Sequence, residues 1–384
     1  MTKAHILAVG STPVGKLTGK TIRDMALEAC KELFEIIQIV PDQIMVTNMS
    51  AEQFTGQSHL GVFITDQLGF RGVPAMRIEA ACSSGGVGVH QAFSAIKSGL
   101  YDSILLIGIE KMTEVPTPDA TRYLAGAADM EWEIAPGVSF VGLNALIAQR
   151  YMYDYNVKSE DLLLFSLNSH KNGVTNKKAM FQKEVSLEEA INSRIIADPL
   201  RLMDCSPVSD GCAALLIVSD KIKEKYNELP SCEIVASRYA TDRISLQDRE
   251  HLCELYASKK AFSEAMNDAK ISLNDIKAFE IHDAFSIMAA LSLESFGLKE
   301  KGKAIELAKD EQIGLDGKYP VNTFGGLKSR GHPVGATGVY QVMENYLQLT
   351  DQAGKNQVKD VNYALSQNIG GSGATISVNI CKRT

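Results

Sequence analysis

The sequence has few cysteines, and their arrangement excludes two common roles for this residue. Seven thiols are spread over 384 residues, their number is odd, and no two form a Cys-x-x-Cys pair. This pattern indicates neither a disulfide framework nor a zinc site, and it is typical of a reduced, intracellular chain. We therefore expect a cytoplasmic protein without a bound metal.

Long apolar runs and a positive net charge are also missing. The formal net charge is −7, from 39 basic and 46 acidic side chains, whereas nucleic-acid binding usually needs a basic face. No apolar run approaches the ~20 residues of a membrane span. The N-terminal MTKAHILAVGSTPVG predicts a strand and a turn rather than a signal peptide. We expect neither a nucleic acid nor a membrane as a partner.

What the chain does contain is a regular alternation of strand and helix patterns. Strand-like segments are AHILAVG, QIMVTNM, AMRIEA and SILLIGIEKM, and the segments between them place apolar residues at helical spacing. Such alternation predicts an α/β fold with a largely parallel sheet that helices cover on both faces.

Residues 115–204 break this alternation. They are polar, and within them LNALIAQRYMYDY and SEDLLLFSLNSHKNG predict helices. Strand character returns at CAALLIVSD. We therefore divide the chain into an N-terminal half, residues 1–114 completed by 205–222, a helical insertion, residues 115–204, and a C-terminal half, residues 223–384.

The two halves share a short repeat. GVHQ at 88–91 and GVYQ at 338–341 each open a predicted helix that leads to a strand, and an Asp precedes an apolar strand in both halves. Two matches in the same order indicate a duplication. Duplicated halves would pack around a shared interface where the two helix starts meet, which would bring Cys82 close to the GHPVG segment.

Cys82 stands at the head of a predicted helix, in AACSSGGVGVHQAF. It follows a strand, so its thiol would lie near free N–H groups and the positive end of the helix dipole. That setting lowers the pKa of a thiol and activates it as a nucleophile. The alternative is a buried small side chain, since free cysteine is among the most buried residue types.

Three further segments combine glycine or a strand end with groups that act on protons or oxyanions. His332, in FGGLKSRGHPVGATG, has an imidazole that can take a thiol proton or donate to an oxyanion. His282 and Asp283 follow an apolar strand in EIHDAF, at the sheet edge where α/β proteins bind ligands. SQNIGGSGAT offers backbone N–H groups for an oxyanion. Each also has a structural interpretation: a hydrogen-bonded loop histidine, a strand-end cap and a plain hairpin.

Taken together, these motifs resemble those of the thiolase superfamily over essentially the whole chain. The matching segments are ACSSG around Cys82, GIEKM, SPVSDG at 206–211, HDAF at 282–285, GHPVGATG at 331–338 and NIGGSG at 368–373. HDxF together with NIGG is most similar to the archaeal and sterol-carrier-protein-x branch. The resemblance implies a thiolase fold, in which two duplicated βαβαβ-type halves form a layered α-β-α-β-α core and residues 115–204 form a loop domain that covers CoA.

The resemblance also implies roles for single residues. Cys82 would be the acyl-accepting nucleophile, and His332 would take its proton. His332 and His282 would form one oxyanion hole, and the backbone N–H groups of Cys82 and Gly370 another. Ser206 matches the position that contacts the pantetheine arm of CoA. The basic residues available in the loop domain for the CoA phosphates are Arg122, Arg150, His170, Lys171 and Arg201.

At one catalytic position the sequence departs from the family pattern. Most thiolases have a second, acid/base cysteine where this chain has Asn368, and the sterol-carrier-protein-x branch has it where this chain has Ala284. Neither side chain moves a proton at neutral pH. Cys205 is a candidate replacement, although a packed small residue is the favoured interpretation. His332 and His282 are the other candidates.

The implied activity is that of an acyl-CoA acyltransferase, most simply an acetyl-CoA C-acetyltransferase that makes or cleaves acetoacetyl-CoA in lipid and isoprenoid-precursor metabolism. Two alternatives stay open. One is a thiolase-like acyltransferase or decarboxylating condensing enzyme that uses Cys-His-His without a second cysteine, and the other is a degenerate CoA-binding scaffold subunit. CoA thioesters would be substrates, and no cofactor is expected.

The resemblance implies protein partners as well. Thiolases are homodimers or tetramers, in which the strand after the nucleophile's helix normally pairs across the dimer. Archaeal relatives also associate with an OB-fold, zinc-ribbon accessory protein and with a synthase that consumes acetoacetyl-CoA. We therefore expect a homodimer or tetramer, with these two proteins as candidate partners.

Overall fold

A computed structural model describes residues 2–384 as alternating strands and helices. The strands are β1 (Ala4–Ser11), β2 (Gln43–Thr47), β3 (Ala75–Ile78), β4 (Ser103–Glu110), β5 (Ile195–Ala197), β6 (Leu200–Arg201), β7 (Gly211–Ser219), β8 (Cys232–Thr241), β9 (Ile276–Glu280), β10 (Tyr363–Gly370) and β11 (Thr375–Arg383). The helices are α1 (Ile22–Ile36), α2 (Ala51–Thr55), α3 (Leu60–Gln67), α4 (Ser84–Lys97), α5 (Thr117–Ala125), α6 (Phe140–Tyr155), α7 (Ser159–Gly173), α8 (Leu187–Ile191), α9 (Asp220–Lys225), α10 (Tyr256–Ala269), α11 (Ser286–Ser295), α12 (Ala304–Lys309) and α13 (Thr337–Leu349).

Nine of the strands form one mixed sheet in the order β3-β2-β4-β7-β1-β8-β11-β10-β9. β2 pairs in parallel with β3 and β4, and β9 pairs in parallel with β10, but the five pairs from β4 to β10 are antiparallel. The expectation of a largely parallel sheet is therefore wrong. A parallel neighbour needs a long crossover, and residues 371–374 between β10 and β11 allow only a hairpin.

The two halves of the sheet enclose a layer of helices. β1 and β8 pair over only three residues, so the sheet divides there into two halves. Side chains alternate across β4: Leu105 and Ile107 pack with α1, whereas Ile104 and Leu106 pack with α4 and α13. α4 and α13 also pack on β8 and β10, whose other faces are covered by α10 and α11. This arrangement is the α-β-α-β-α layering that the resemblance implies.

α4 and α13 meet at their N-terminal ends through glycine. A Cβ on Gly85 would lie 2.7 Å from Gly338 N, and a Cβ on Gly338 would lie 2.1 Å from Gly86 N. Only glycine allows backbones to approach this closely. The glycine that faces Gly338 is Gly85 rather than the Gly88 of the GVHQ repeat, a shift of three residues and almost one helical turn. The meeting of the two helix starts is as predicted, but GVHQ lies in the second turn of α4 and does not open it.

Residues 115–204 form a mostly helical region beside the sheet. α5, α6, α7 and α8 lie here, together with the small hairpin β5-β6. Both α6 and α7 contact α11 of the C-terminal half, so the region rests on the layer that also carries His282 at its edge. Along residues 2–384, no helix combines the length and the apolar character that a membrane span requires.

The strand that follows α4 has no free edge. β4 is hydrogen-bonded to β2 on one side and to β7 on the other. The expectation that this strand pairs across a dimer is therefore wrong. Within the described part of the chain, the N-terminal half ends at β3, which pairs only with β2 and leads directly into the turn of Cys82.

Candidate active site

One cavity of about 140 Å³ brings together the side chains that the motifs single out. Cys82, Cys205, Ser206, His282 and His332 all lie on its wall. Most of the remaining wall is apolar, and it includes Met112, Leu124, Phe140, Val141, Phe285, Met288 and Val334. The cavity is therefore a largely apolar chamber in which two thiols and two imidazoles are the groups able to exchange protons.

Cys82 reaches the cavity from the turn between β3 and α4. Ala81 has a left-handed φ of 51°, a conformation that costs a non-glycine residue of order 1 kcal/mol or more. The Ser84 hydroxyl holds this turn, because it accepts from Ala80 N at 2.8 Å and donates to Ala81 O at 2.6 Å. The turn leaves Cys82 buried, with its thiol on the cavity wall.

The position of Cys82 at the start of α4 is not enough to ionise its thiol. Burial raises the pKa of the thiol to about 12, the negative charge of Glu110 adds to the rise, and a hydrogen bond from the Gly371 backbone opposes it. The expectation of a lowered pKa is wrong, because taking the thiolate out of water outweighs the donors around it. Cys82 therefore keeps its proton at neutral pH and needs a base before it can attack.

Thr337 fixes the ring of His332. The Nδ1 of His332 lies 2.7 Å from Thr337 Oγ1, and that hydroxyl donates its only hydrogen to Pro333 O at 3.1 Å. Thr337 then accepts from the ring, so Nδ1 carries the hydrogen and Nε2 keeps its lone pair. Burial lowers the pKa of His332 to about 3, and the Arg330 charge adds to this, so the ring is neutral. A neutral ring with a free Nε2 is the form that accepts a thiol proton.

His282 packs against His332 on the same wall. The two ring centroids are 4.9 Å apart and the ring planes are perpendicular, at 90°. The Nδ1 of His282 lies 3.1 Å from Asn368 Nδ2. Burial lowers the pKa of His282 well below its usual range, and the neighbouring His332 and Arg330 lower it further. Both histidines are thus uncharged at neutral pH.

The hairpin between β10 and β11 passes directly over the Cys82 turn. A Cβ on Gly370 would lie 2.5 Å from Ala80 O, so only glycine allows this approach. Gly371, the next residue of the hairpin, lines the cavity, and its backbone opposes the rise in the pKa of Cys82. Sequence reasoning named Gly370 and missed Gly371, because a motif with adjacent glycines does not show which of them lines the cavity.

Cys205 and Ser206 lie beside the strand end that carries HDAF. Ser206 N donates to Ala284 O at 2.8 Å, and Cys205 pairs with Phe285 across an isolated antiparallel bridge. Cys205 is therefore next to Ala284, one of the two positions where related enzymes keep a cysteine. Its thiol donates to Arg201 O at 3.4 Å, and burial, helped by Asp204, raises its pKa to about 12.

Glu110 ends β4 and ties the segment between β2 and α2 to the loop before α13, although sequence reasoning gave it no role. Its buried carboxylate accepts from Asn48 Nδ2 at 2.9 Å, Met49 N at 2.8 Å and Gly335 N at 3.0 Å. Burial raises the pKa of Glu110 to about 7, and the backbone hydrogen bonds oppose the rise. The signal that could have found it is a carboxylate at the end of an otherwise apolar strand, in GIEKM.

Asp283 stays out of the cavity and acts as a strand-end cap. Its carboxylate accepts from Ser169 Oγ at 2.7 Å and from Leu327 N at 2.6 Å. A buried carboxylate with these partners stabilises the junction between α7 and the glycine-rich loop before His332. Of the two interpretations of Asp283, the structural one is therefore supported.

The structure does not gather the basic residues expected to meet the CoA phosphates. None of the five lines the cavity. His170 is buried, with its Nδ1 3.0 Å from Lys183 O, whereas Arg122 and Arg150 are exposed beside their own carboxylate neighbours. No cluster of three or more potential metal ligands occurs among residues 2–384.

Two family models match almost the whole chain. Residues 4–221 match the thiolase N-terminal domain, and residues 239–383 match the thiolase C-terminal domain-like family.

Curated relatives and a solved structure are similar over nearly the full length of this chain. The chain is 39% identical to an acetyl-CoA acetyltransferase of Methanothermobacter thermautotrophicus over 386 residues, which covers 100% of both chains. It is 30% identical to sterol carrier protein 2 of Bos taurus, over 97% of this chain and 71% of that protein. The solved structure of an Ltp2-ChsH2(DUF35) aldolase superposes with a TM-score of 0.85 at 22% identity, covering 99% of this chain and 98% of that chain, and shows a shared fold.

Proposed function

The chain belongs to the thiolase family of acyltransferase enzymes, and on this premise we propose that it is an acetyl-CoA C-acetyltransferase that makes or cleaves acetoacetyl-CoA through an acyl-Cys82 intermediate. The observation that carries the proposal is the shared cavity in which the Cys82 thiol lies with His332 and His282. The name of the methanogen relative, an acetyl-CoA acetyltransferase at 39% identity, supports acetyl-CoA as the substrate.

In the first half-reaction the acyl group moves from CoA to Cys82. The Nε2 of His332 takes the thiol proton while the sulfur attacks the thioester carbonyl, and the new S–C bond replaces the bond to the CoA sulfur. The His332 imidazolium then returns its proton to the departing CoA thiolate. Because the pKa of Cys82 is raised and that of His332 is lowered, the proton moves only as the S–C bond forms. Backbone N–H groups of Cys82 and Gly370 stabilise the oxyanion of this step.

In the second half-reaction a carbon–carbon bond forms. His332, again unprotonated once CoA has left, removes an α-proton from a second acetyl-CoA. The resulting enolate, its oxygen held by the N–H group of His282, attacks the acyl carbon. The Cys82 sulfur leaves and takes the proton back from His332, which restores the thiol and releases acetoacetyl-CoA.

Cys205 is the alternative acid/base of the second half-reaction. It lies on the cavity wall beside Ala284, so its thiol is close to the position of the missing cysteine. Its raised pKa and its hydrogen bond to Arg201 O favour a thiol that stays protonated. We therefore assign proton transfer to His332 and a packing role to Cys205.

CoA would enter along Ser206, with the helical region of residues 115–204 covering it. Ser206 lies at the cavity wall, which supports a contact with the pantetheine arm. CoA thioesters are the only small molecules that the proposed reaction needs, and it uses no further cofactor. The proposed compartment is the cytoplasm, and the proposed setting is lipid and isoprenoid-precursor metabolism.

We also propose that the chain works as a homodimer or tetramer. β3 supports this, since it is the outermost strand of the N-terminal half and its Met76 side chain is exposed. An OB-fold, zinc-ribbon accessory protein and a synthase that consumes acetoacetyl-CoA are further proposed partners. The name of the solved neighbour, an Ltp2-ChsH2(DUF35) aldolase, joins two components, which supports an accessory subunit.

A decarboxylating condensing enzyme is the second candidate function. The observation that favours it is a cavity with one reactive cysteine and two histidines, in which positions 284 and 368 hold no thiol. Such an enzyme would take a malonyl-type donor, whose loss of CO₂ generates the enolate without a base. A CoA-binding scaffold without catalysis is the third candidate, and the presence of Cys82 and His332 on one cavity wall disfavours it.

A thiolysis assay and a product analysis distinguish these three candidate functions. Purified protein is mixed with acetoacetyl-CoA and CoA, and the loss of the enolate absorbance is followed, with Cys82→Ala as the matched control. Turnover by the wild type alone supports the thiolase. Product analysis with acetyl-CoA plus malonyl-CoA identifies the decarboxylating enzyme if condensation requires the malonyl donor. No turnover in either mixture, together with CoA binding, identifies the scaffold.

A further inference from the structure

We propose that Asn368 fixes the tautomer of His282, so that this histidine presents an Nε2–H to the cavity and acts as an oxyanion donor and never as the base. The proposal rests on the proposed function only for the oxyanion that His282 serves; the tautomer itself follows from hydrogen bonding. It gives a positioning role to the residue that stands where most thiolases have their acid/base cysteine.

A backbone group determines how the amide of Asn368 is oriented. Gly86 N donates to Asn368 Oδ1 at 3.1 Å, and a backbone N–H can only donate. The oxygen of the amide must therefore face Gly86, which leaves the NH₂ group to face His282. Asn368 is 1% exposed, so bulk solvent does not compete for either contact.

The orientation of the amide decides which nitrogen of His282 carries the hydrogen. Asn368 Nδ2 lies 3.1 Å from His282 Nδ1, and an amide NH₂ has no lone pair to offer. The Nδ1 of His282 must accept, so a neutral ring carries its only hydrogen on Nε2. Burial keeps the ring neutral by lowering its pKa. Since Nδ1 is turned to Asn368, Nε2 is the nitrogen on the cavity side.

The two histidines of the cavity are consequently in opposite tautomers. Thr337 accepts from Nδ1 of His332 and leaves its Nε2 free, whereas Asn368 donates to Nδ1 of His282 and leaves its Nε2–H free. Perpendicular rings with centroids 4.9 Å apart thus present one acceptor and one donor to the same chamber. This divides the work: His332 moves the proton, and His282 stabilises the oxyanion.

The glycine contact between α4 and α13 makes room for the Asn368 amide. A Cβ on Gly338 would lie 2.4 Å from Asn368 Oδ1, and a Cβ on Gly86 would lie 3.1 Å from Asn368 Cβ. The two helix starts therefore pack closely around this side chain. The buried amide is part of the same close contact that brings Cys82 and His332 together.

The direct test is nitrogen NMR of protein labelled with ¹⁵N-histidine. The chain has seven histidines, and the His282 signals are identified by their loss in His282→Gln. We expect a neutral ring protonated at Nε2 around neutral pH. In Asn368→Asp the new carboxylate accepts from both Gly86 N and the ring, so the hydrogen moves to Nδ1 or the ring takes a second proton. A wild-type His282 protonated at Nδ1, or an unchanged tautomer in Asn368→Asp, overturns the proposal.

Kinetics give a second readout that a merely structural role would not produce. Asn368→Asp should slow condensation by about 10²-fold, the usual effect of losing an oxyanion donor, while single-turnover acylation of Cys82 changes by less than about threefold. A matched control is Asn379→Asp, which places the same charge on the neighbouring strand at a residue bound to Ser237 and should leave the His282 signals unchanged. Equal loss in both half-reactions with an unchanged tautomer contradicts the proposal.

The NMR result is independent of turnover. If the wild type shows no thiolase activity but His282 is protonated at Nε2, the proposed function fails and the tautomer assignment stands. If Asn368→Asp does not fold, Asn368→Leu serves as the second variant: it removes the donor, and we expect His282 to sample both tautomers. A single, unchanged Nε2–H tautomer in Asn368→Leu also overturns the proposal.

Discussion

The first residues of α4 and α13 are alike, yet they hold different groups in place. Each helix begins with a hydroxyl residue followed by glycine, Ser84-Gly85 in α4 and Thr337-Gly338 in α13. The Ser84 hydroxyl closes a backbone turn and so positions Cys82. The Thr337 hydroxyl binds the ring of His332 and so sets its tautomer. Two similar helix starts thus supply a nucleophile on one side and a base on the other.

The starts of α4 and α13 share one packing contact but contribute different chemistry to the cavity. The glycine contact requires only that the backbones touch, which both helix starts achieve. What each side chain does depends on the segment before the helix, a left-handed alanine turn before α4 and a glycine-rich loop before α13. Changes to the two sides should therefore give separate kinetic effects, whereas changes to the contact should affect stability.

Removing the nucleophile from the α4 side should have the largest effect. Cys82→Ala should lower turnover by about 10⁴-fold or more, because the variant lacks the sulfur on which the acyl intermediate forms. Intact-mass spectrometry after incubation with acetyl-CoA should show an adduct on the wild type and none on the variant. Cys253→Ala, which alters another buried thiol outside the cavity, should keep the adduct. An adduct on Cys82→Ala would contradict the assignment.

Removing the base from the α13 side should have the next largest effect. His332→Ala should slow acylation of Cys82 by about 10³-fold, within the usual range for general-base catalysis. The pH dependence should change as well. Without His332 the rate should climb with pH toward the raised pKa of Cys82, about 12, whereas the wild type should be flat around neutral pH because its imidazole is already neutral. Stopped-flow acylation at several pH values measures both. A variant with a flat profile would exclude His332 as the base.

Breaking the glycine contact between α4 and α13 should lower the free energy of unfolding. In Gly338→Ala the new methyl group would lie 2.1 Å from Gly86 N, so the two helices must move apart. We expect a loss of about 3 kcal/mol in the free energy of unfolding, the upper part of the usual range for overpacking. Gly314→Ala is the control, since its Cβ would meet nothing closer than 3.8 Å. Urea unfolding of both variants makes the comparison, and equal stability would show that the contact tolerates a methyl group.

The Glu110 carboxylate, which binds the segment after β2 and the loop before α13, should make stability depend on pH. The pKa of Glu110 is raised from 4.5 to about 7, so the folded state binds a proton that the unfolded chain has already lost. This contribution is complete below about pH 4.5 and is lost as the pH rises through about 7, a change of about 3 kcal/mol.

Glu110→Gln isolates that contribution. In the wild type the free energy of unfolding should fall as the pH rises from about 4.5 to about 7. In the variant this fall should be smaller by about 3 kcal/mol. Urea unfolding at several pH values measures both. Glu35→Gln, at an exposed position of α1, should keep the wild-type slope. Parallel curves for the wild type and Glu110→Gln would refute the linkage.

The smallest effect is expected at the remaining thiol of the cavity. Cys205→Ser keeps a hydrogen-bond donor for Arg201 O, so turnover should stay within about threefold of the wild type if Cys205 only packs. A loss of about 10²-fold or more would give Cys205 the acid/base role instead. Steady-state rates of acetoacetyl-CoA thiolysis and synthesis distinguish the two outcomes.

Much of the fold could be predicted because its signals are local. Alternating strand and helix patterns, the helical character of residues 115–204 and the meeting of two repeated helix starts all appear in the structure. The expectations of a largely parallel sheet and of a strand after α4 that pairs across a dimer were wrong. Strand direction and edge position depend on which segments become neighbours, and β7 enters between β1 and β4 from far along the chain.

For the candidate site, the reactive residues could be predicted from the sequence, but their protonation states could not. Motifs identified Cys82, His282 and His332, which the structure brings to one cavity. The pKa of Cys82 was predicted in the wrong direction, because a helix start can be recognised from sequence whereas the depth of burial cannot. Glu110 and Gly371 were missed, since their roles depend on contacts with residues that are distant in the sequence.

The sequence by itself determined the family, the layered α/β architecture and the set of reactive side chains, because motifs and hydrophobic periodicity are properties of short segments. Only the tertiary structure decided which nitrogen of each histidine faces the cavity. That choice depends on Thr337 and Asn368, which stand 5 and 86 residues from the rings that they touch. A hydrogen bond between distant residues exists only after the chain has packed, and it is such bonds that distinguish an acceptor from a donor in this cavity.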